Sequence, residues 1–452
     1  MNLPFKFTRV FHYNRKRRVC LTFLSTAVLM QKHIITMANF NFQGESDLTE
    51  KQINFICEVL EKHGFVGSKV TIGNLGKAGD NYGSNVKRIT AEREDGKSLK
   101  MVAKVAPPPS DISRKMVNIE IVFKNESAMY DKILPKFRQL ESEADIPVED
   151  RLNIPICYGI LSEELHEVIL LEDLQESDFV MKDRFKSMTD KEIRVTVNSL
   201  AKLHSLSFVL KSNDLSKYEE FTSQLTDYFT TSTTEENIKT NFIVLEDKMN
   251  SLFDVDRYKD KIRGCMTNVA NEAHKLRRCD VGSKQSVIVH GDSWTNNILW
   301  KLVSKECMLI DYQLSTERSP VYDLLYLIFG CTDFETRSKY YESWIDEYHE
   351  KLEKYLSHYG VKVNYVYSKE RMLADLKRYS KFFLGWSILI SNAQCLSTED
   401  AAKFKDALNS TENADEIMET IKTENVDIIT QTLLKTKIQG IIDSYYDLGY
   451  CS

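Results

Sequence analysis

Residues Val287-Ile288-Val289-His290-Gly291-Asp292-Ser293-Trp294-Thr295-Asn296-Asn297-Ile298-Leu299-Trp300 decide how the rest of the chain is read. A β-branched apolar run delivers a His-Gly-Asp turn, and Asn297 follows Asp292 by five positions. A second apolar run, Met308-Leu309-Ile310, delivers Asp311-Tyr312-Gln313. Two strand-like runs thus present Asp292, Asn297 and Asp311 on adjacent loops. These are the groups that phosphoryl transfer needs. On this reading Asp292 would orient a hydroxyl, while Asn297 and Asp311 would hold Mg²⁺ on the phosphates of ATP. His290 reads as a packing residue that hydrogen-bonds the loop backbone. It is a poor base, since this chemistry needs little proton abstraction.

Upstream, Thr49-Glu50-Lys51-Gln52 has the form of a capping box, with Ile53, Ile56 and Leu60 following at helical spacing, so a helix is expected over 49–62. Three strands follow, over 69–75, 85–93 and 99–105, with Asp95-Gly96 closing the second hairpin. Between the first two lies a loop containing Gly76, Gly79, Gly83 and Ser84. Its glycines let backbone N–H groups approach phosphates, although it is neither a Walker A nor a Gly-x-Gly-x-x-Gly loop. Lys104 sits inside the apolar run Met101–Val105, where burying a cation is costly without a partner. The expected partner is Glu126, one helical turn from Phe123 and Tyr130, with Glu120 as the competing candidate. Strands over 154–160 and 167–171 lead into Glu172-Asp173-Leu174, which reads as a hinge.

From Ser177 onward the pattern turns helical. Thr189-Asp190-Lys191-Glu192 is a second capping-box candidate, followed by an apolar face that carries His204 as a packed scaffold residue. Asp323 opens an apolar helix after Ser319-Pro320. Helices are expected over 335–355 and 370–390, the second interrupted at Gly385-Trp386, and an amphipathic helix closes the chain over 438–448. The tract 396–425 reads as a polar surface loop with a helix.

The spacing His-Gly-Asp-x-Trp-x-x-Asn, followed by a strand-borne Asp, resembles the small-molecule branch of the protein-kinase-like fold, and within it the insect ecdysteroid-kinase-like family. Phe-x-x-Glu-x-x-x-Tyr over Phe123–Tyr130 is similar to that family's helix, and the loop over 76–84 to its phosphate loop. The resemblance runs from about Thr49 to the C-terminus. It implies an α+β, two-lobed protein-kinase-like fold: an N-lobe with an antiparallel sheet and helix over 46–175, and a large helical C-lobe over 176–452. It further implies ATP and Mg²⁺, with Lys104 on the α/β-phosphates and adenine against backbone groups of Glu172, Asp173 and Leu174. Asp323 would buttress the catalytic loop. Position 312 is Tyr where the family mostly has Phe, a swap that keeps the ring. The implied acceptor is a small-molecule hydroxyl, on an ecdysteroid or another steroid or xenobiotic alcohol. Two other readings compete: a choline- or ethanolamine-type kinase, which needs an acidic and aromatic cage, and a catalytically silent nucleotide- or sterol-binding module.

Composition is compatible with this. The chain has 452 residues, 42% hydrophobic and 28% charged, enough for a large core. A net charge of −6 suggests no nucleic-acid surface. Nine scattered cysteines without a Cys-x-x-Cys pair fit a reduced, cytoplasmic protein without structural zinc. Residues 1–45 are basic and carry a short apolar run over 19–30, too short for a membrane span of roughly 20 residues. They fit either a targeting segment or a dispensable, disordered extension upstream of a start at Met37, and the cytosolic character of the remainder favours the latter. No stable membrane insertion is expected, and oligomeric state is not legible.

Overall fold

The computed structural model describes residues 39–43, 47–76, 84–107, 114, 118–232, 235–301, 304, 306–403 and 427–450. The chain divides into two compact units, residues 1–73 with 88–101 and residues 74–87 with 102–452.

The first unit is organised by helix α1 (Glu50–Lys62) and the strands beside it. Thr49 caps α1 as expected: its hydroxyl accepts from the Gln52 N–H (3.4 Å), and the Gln52 side chain accepts from the Thr49 N–H (2.8 Å). A short strand β1 (Asn41–Gln43), inside the stretch that the sequence assigns to an extension, pairs in parallel with β2 (Lys69–Asn74) along Asn41↔Lys69 to Gln43↔Thr71. Strand order continues through β3 (Asn85–Glu92) to β4 (Ser98–Val105). Ile56, Leu60, Val70 and Ile89 are fully buried.

In the second unit, the end of β4 pairs with β6 (Val168–Glu172), which pairs antiparallel with β5 (Cys157–Leu161). Helix α2 (Ile119–Ala128) follows β4 and runs through a π-turn at 129–133 into a further helix over 134–143. Beyond β7 (Phe179–Met181) the unit is mainly helical. Helix α3 (Asp190–Asn213), opened by the expected Thr189/Glu192 capping box, supplies the central apolar face. Two small antiparallel pairings carry the loops of interest. Strand β8 (Val287–Val289) pairs with β11 (Thr316–Arg318), and β9 (Ile298–Lys301) pairs with β10 (Glu306–Leu309). Val287, Ile288 and Val289 have no exposed surface. That matches a run with no polar alternation.

Helices α4 (Val321–Cys331), α5 (Phe334–Ser357), α6 (Lys369–Cys395) and α7 (Ile428–Asp447) complete the unit. The expected break at Gly385-Trp386 is absent, and α6 runs unbroken through it. Gly385 is there for packing: a Cβ would stand 2.2 Å from the Cys265 carbonyl oxygen, so only glycine lets that backbone lie against the helix. Of the polar tract over 396–425, which begins just after α6, residues 398–403 are helical and 404–425 lie outside the described residues. Among the described residues no helix is long and apolar enough to cross a membrane, and the seven described cysteines are unpaired.

Candidate active site

The turn at 290–292 is built around one buried carboxylate. Asp323, in the first turn of α4 and without exposed surface, accepts from the His290 N–H (2.7 Å) and the Gly291 N–H (2.9 Å). It also contacts His204 Nε2 (3.0 Å), whose Nδ1 meets the Tyr348 hydroxyl (2.8 Å). Removing this acceptor would strand buried N–H groups. The carboxylate therefore fixes the turn from behind. Gly291 has φ +87, and a Cβ would stand 2.1 Å from the Leu314 oxygen, so this position requires glycine on both counts. His290 Nδ1 accepts from the Asp292 N–H (3.2 Å), which leaves Nε2 to donate to the Ile310 carbonyl (2.9 Å). Burial pushes this imidazole's pKa down and keeps it neutral. His290 thus ties the first loop to the second.

Asp292 is buried and held at both oxygens. The Tyr326 hydroxyl donates to Oδ1 (2.6 Å) and Asn297 Nδ2 to Oδ2 (2.8 Å). Asn297 Nδ2 also donates to the Asp292 carbonyl (3.0 Å). Burial, reinforced by the Asp311 carboxylate, pushes Asp292 from 3.8 up to about 7. Asp311 follows β10 in a left-handed conformation (φ +65, ψ 63), a cost for a residue with a Cβ that sites tolerate when their surroundings enforce it. The Asp311 side chain is held by Lys104, whose Nζ donates to Asp311 Oδ1 (2.7 Å) and to Glu126 Oε2. Burial works against the Lys104 charge, yet Asp311 and Glu126 together raise its pKa. Glu126 is pushed up by burial against the pull of Lys104. Glu120, the competing partner, is exposed. Asn125, next to Glu126, donates to the Gln313 carbonyl (3.1 Å) and the Thr226 carbonyl (2.8 Å), binding α2 to the second loop.

The structure thus brings together Lys104, Glu126, Asp311, Asp292 and Asn297, which come from four separate stretches of sequence. Leu174 is buried with Phe179 and Met308, below β10. The Glu172 side chain accepts from the Ile156 N–H (2.8 Å), and Asp173 accepts from the Gln175 N–H (3.2 Å). Both side chains serve the local loop. Gly76 has φ +91 and Ser84 is buried, while Gly79 and Gly83 lie outside the described residues. The Leu75 N–H donates to the Val86 carbonyl (2.9 Å) and closes this loop at its base. Sequence reasoning missed Tyr326 and Asn125. Tyr326 lies three positions after Asp323 on the same helix face, a spacing that could have flagged it, but in so apolar a helix it reads as core.

The sequence pattern of the ecdysteroid kinase-like family matches residues 78–361, more than half of the chain. No curated protein matches. Among solved structures the chain is similar to an ethanolamine kinase from Plasmodium vivax, at 12% identity over 82% of each chain with a TM-score of 0.40. It is also similar to a GDP complex of aminoglycoside 2'-phosphotransferase IIIa, at 11% identity over 85% of this chain and 97% of that one, with a TM-score of 0.39. Choline kinase LicA from Streptococcus pneumoniae is 13% identical over 87% of this chain and 99% of that one, with a TM-score of 0.35. With the family pattern running from the glycine loop through the strands that carry Asp292, Asn297 and Asp311, the chain belongs to the ecdysteroid kinase-like family and is a small-molecule kinase.

Proposed function

We propose that this kinase uses ATP and Mg²⁺ to phosphorylate a hydroxyl of a small molecule, an ecdysteroid or a related steroid or xenobiotic alcohol. The observation that carries the ATP and metal assignment is the Lys104 ammonium shared between Glu126 and Asp311. Three carboxylates, Glu126, Asp311 and Asp292, face this single ammonium, a surplus of negative charge suited to a divalent cation. Asp311 and Asn297 fit Mg²⁺, which takes one or two protein oxygens and leaves the rest to phosphates and water. Both Asn297 bonds to Asp292 are made through Nδ2, so its Oδ1 is the atom to offer a metal. The bound cation would neutralise charge on the transferring phosphates.

Lys104 would hold the α/β-phosphates, and the loop over 76–84 would cover them. Backbone groups of Glu172, Asp173 and Leu174 would meet the adenine. Asp292 would orient the acceptor hydroxyl and take its proton late; a carboxylate pushed to about 7 is well matched to that task near neutral pH. The domain reading stays as the sequence has it, with an N-lobe over 46–175, a C-lobe over 176–452 and a cytoplasmic protein. The ecdysteroid assignment follows the family alone.

The test is ATP consumption by the full chain with Mg²⁺ against ecdysteroids, choline, ethanolamine and hydroxylated xenobiotics, with Asp292→Asn as control. Ecdysteroid-dependent turnover that the variant loses supports the reading. Turnover on choline or ethanolamine alone replaces the acceptor, and absence of MgATP binding overturns the assignment of the site.

A further inference from the structure

Beside the loop that carries Asp292 and Asn297 lies a cavity of about 520 Å³, within the range of small-molecule sites. Thr295, between Asp292 and Asn297, lines it, as does Gly330, whose position abuts the Tyr326 ring. None of Lys104, Glu126, Asp311 or the hinge residues lines it.

Its charge is the unusual feature. Arg184, Arg337 and Lys437 all face it, and among the described residues none of the three has a carboxylate within 4 Å. Arg337 is 2% exposed, and arginine is rarely so buried without an acidic partner. Each cation instead donates to neutral acceptors at helix ends. Arg184 donates to the carbonyls of Gln394 and Leu396 (2.7 Å each), at the C-terminus of α6. Lys437 donates to the Gly330 carbonyl (3.0 Å), in the last turn of α4, and to Gln394 Oε1. Arg337 donates through Nε to Ser444 Oγ (2.8 Å) and through Nη1 to the Thr332 carbonyl.

Capping of helix C-termini is the competing explanation, and it is insufficient. A helix end carries roughly half a negative charge, so two ends offset about one of the three positive charges. Arg337 Nη2 has no hydrogen-bond acceptor among the described residues, and Arg337 lines the cavity. Burial lowers the pKa of both Lys437 and Arg337, the latter to about 10 against the opposing pull of Asp333, which lies beyond ion-pair distance. The lining carboxylates do not supply a counter-ion. Asp443 pairs with Arg257 (3.1 Å), while Asp333 and Glu335 are exposed at the N-terminus of α5.

We propose that this cavity binds a small molecule through an anionic group (a carboxylate, sulfate or phosphate) held by Arg184, Arg337 and Lys437 beside the catalytic loop. This goes beyond the phosphotransfer reading and does not depend on it.

Calorimetric titration of the full chain with phenyl phosphate, and with phenol as its neutral counterpart, tests it. One phenyl phosphate should bind per chain, with phenol at least ten-fold weaker. Arg184→Gln and Lys437→Gln, both only partly buried, should each weaken phenyl phosphate at least ten-fold. Lys437→Arg should retain it, and so should Lys104→Met, which empties the proposed nucleotide site of its ammonium. Three results overturn the assignment: no binding to the unaltered chain, binding lost in Lys104→Met but kept in Lys437→Gln, or phenol binding as tightly as phenyl phosphate. Because the readout is anion binding, it separates cleanly from failure of MgATP to bind.

Discussion

Replacing Asp292 with Asn should uncouple stability from activity in a pH-dependent way. The Asp292 carboxyl is buried and sits at about 7, against 3.8 when unperturbed. The folded state therefore holds its proton more tightly than the unfolded chain does. Its contribution is fully favourable below 3.8 and is lost as pH rises through 7. At pH 5 about 2 kcal/mol of that has gone, and at pH 8 about 4 kcal/mol, by integrating the two titrations at roughly 1.4 kcal/mol per unit. Asparagine does not titrate. It also leaves one of the two donors, the Tyr326 hydroxyl or Asn297 Nδ2, poorly served, a cost of about 1–2 kcal/mol that is nearly constant with pH. Relative to the unaltered protein the variant should thus gain about 2–3 kcal/mol between pH 5 and pH 8. The assay is urea unfolding of both proteins in metal-free buffer at pH 5, 6, 7 and 8. Glu126 is present in both and largely cancels. A difference flat to about 0.5 kcal/mol across that range would refute the reasoning. Turnover should fall on the order of 10²- to 10⁴-fold.

Gly291→Ala should cost at least about 2 kcal/mol, since the left-handed backbone alone disfavours alanine by roughly 1–2 kcal/mol and the Cβ meets the Leu314 oxygen; unchanged unfolding would show that the loop relaxes freely. Asp323→Ala should cost about 3–5 kcal/mol by orphaning two backbone N–H groups and His204, read by the same unfolding curves, and a loss below 1 kcal/mol would remove Asp323 from its supporting role. Tyr312→Phe should be neutral or stabilising by up to about 2 kcal/mol, because the buried hydroxyl has no partner among the described residues; clear destabilisation would reveal a partner such as a buried water. Tyr326→Phe should raise the acidic limb of the turnover–pH profile above 7 by about one unit, as a donor to the ionised Asp292 is lost; an unmoved limb would detach the hydroxyl from the carboxylate.

The chemistry of this chain is legible in one dimension because local rules govern it. A β-branched run with no polar alternation reads as a buried strand, and Thr49 with Gln52 and Thr189 with Glu192 announce helix starts through short-range hydrogen bonds. The choice of Glu126 over Glu120 was also available in sequence, since helical period puts Glu126 on the face of Phe123 and Tyr130. What sequence could not supply was anything set by contacts between distant stretches. Gly385 looks like a helix breaker until Cys265 is seen lying against it. Tyr326 looks like core until its hydroxyl is found on Asp292, and the pKa of that carboxyl depends on burial by residues far away in the chain. Arg184, Arg337 and Lys437 carry no motif at all; only the convergence of α4, α5, α6 and α7 makes them one cavity wall. The order and identity of the candidate site residues are thus written into local sequence, because backbone propensity and spacing act within a few residues. Their ionisation, their support and the basic cavity were decided by tertiary packing, because desolvation and charge balance are properties of what surrounds a group in space.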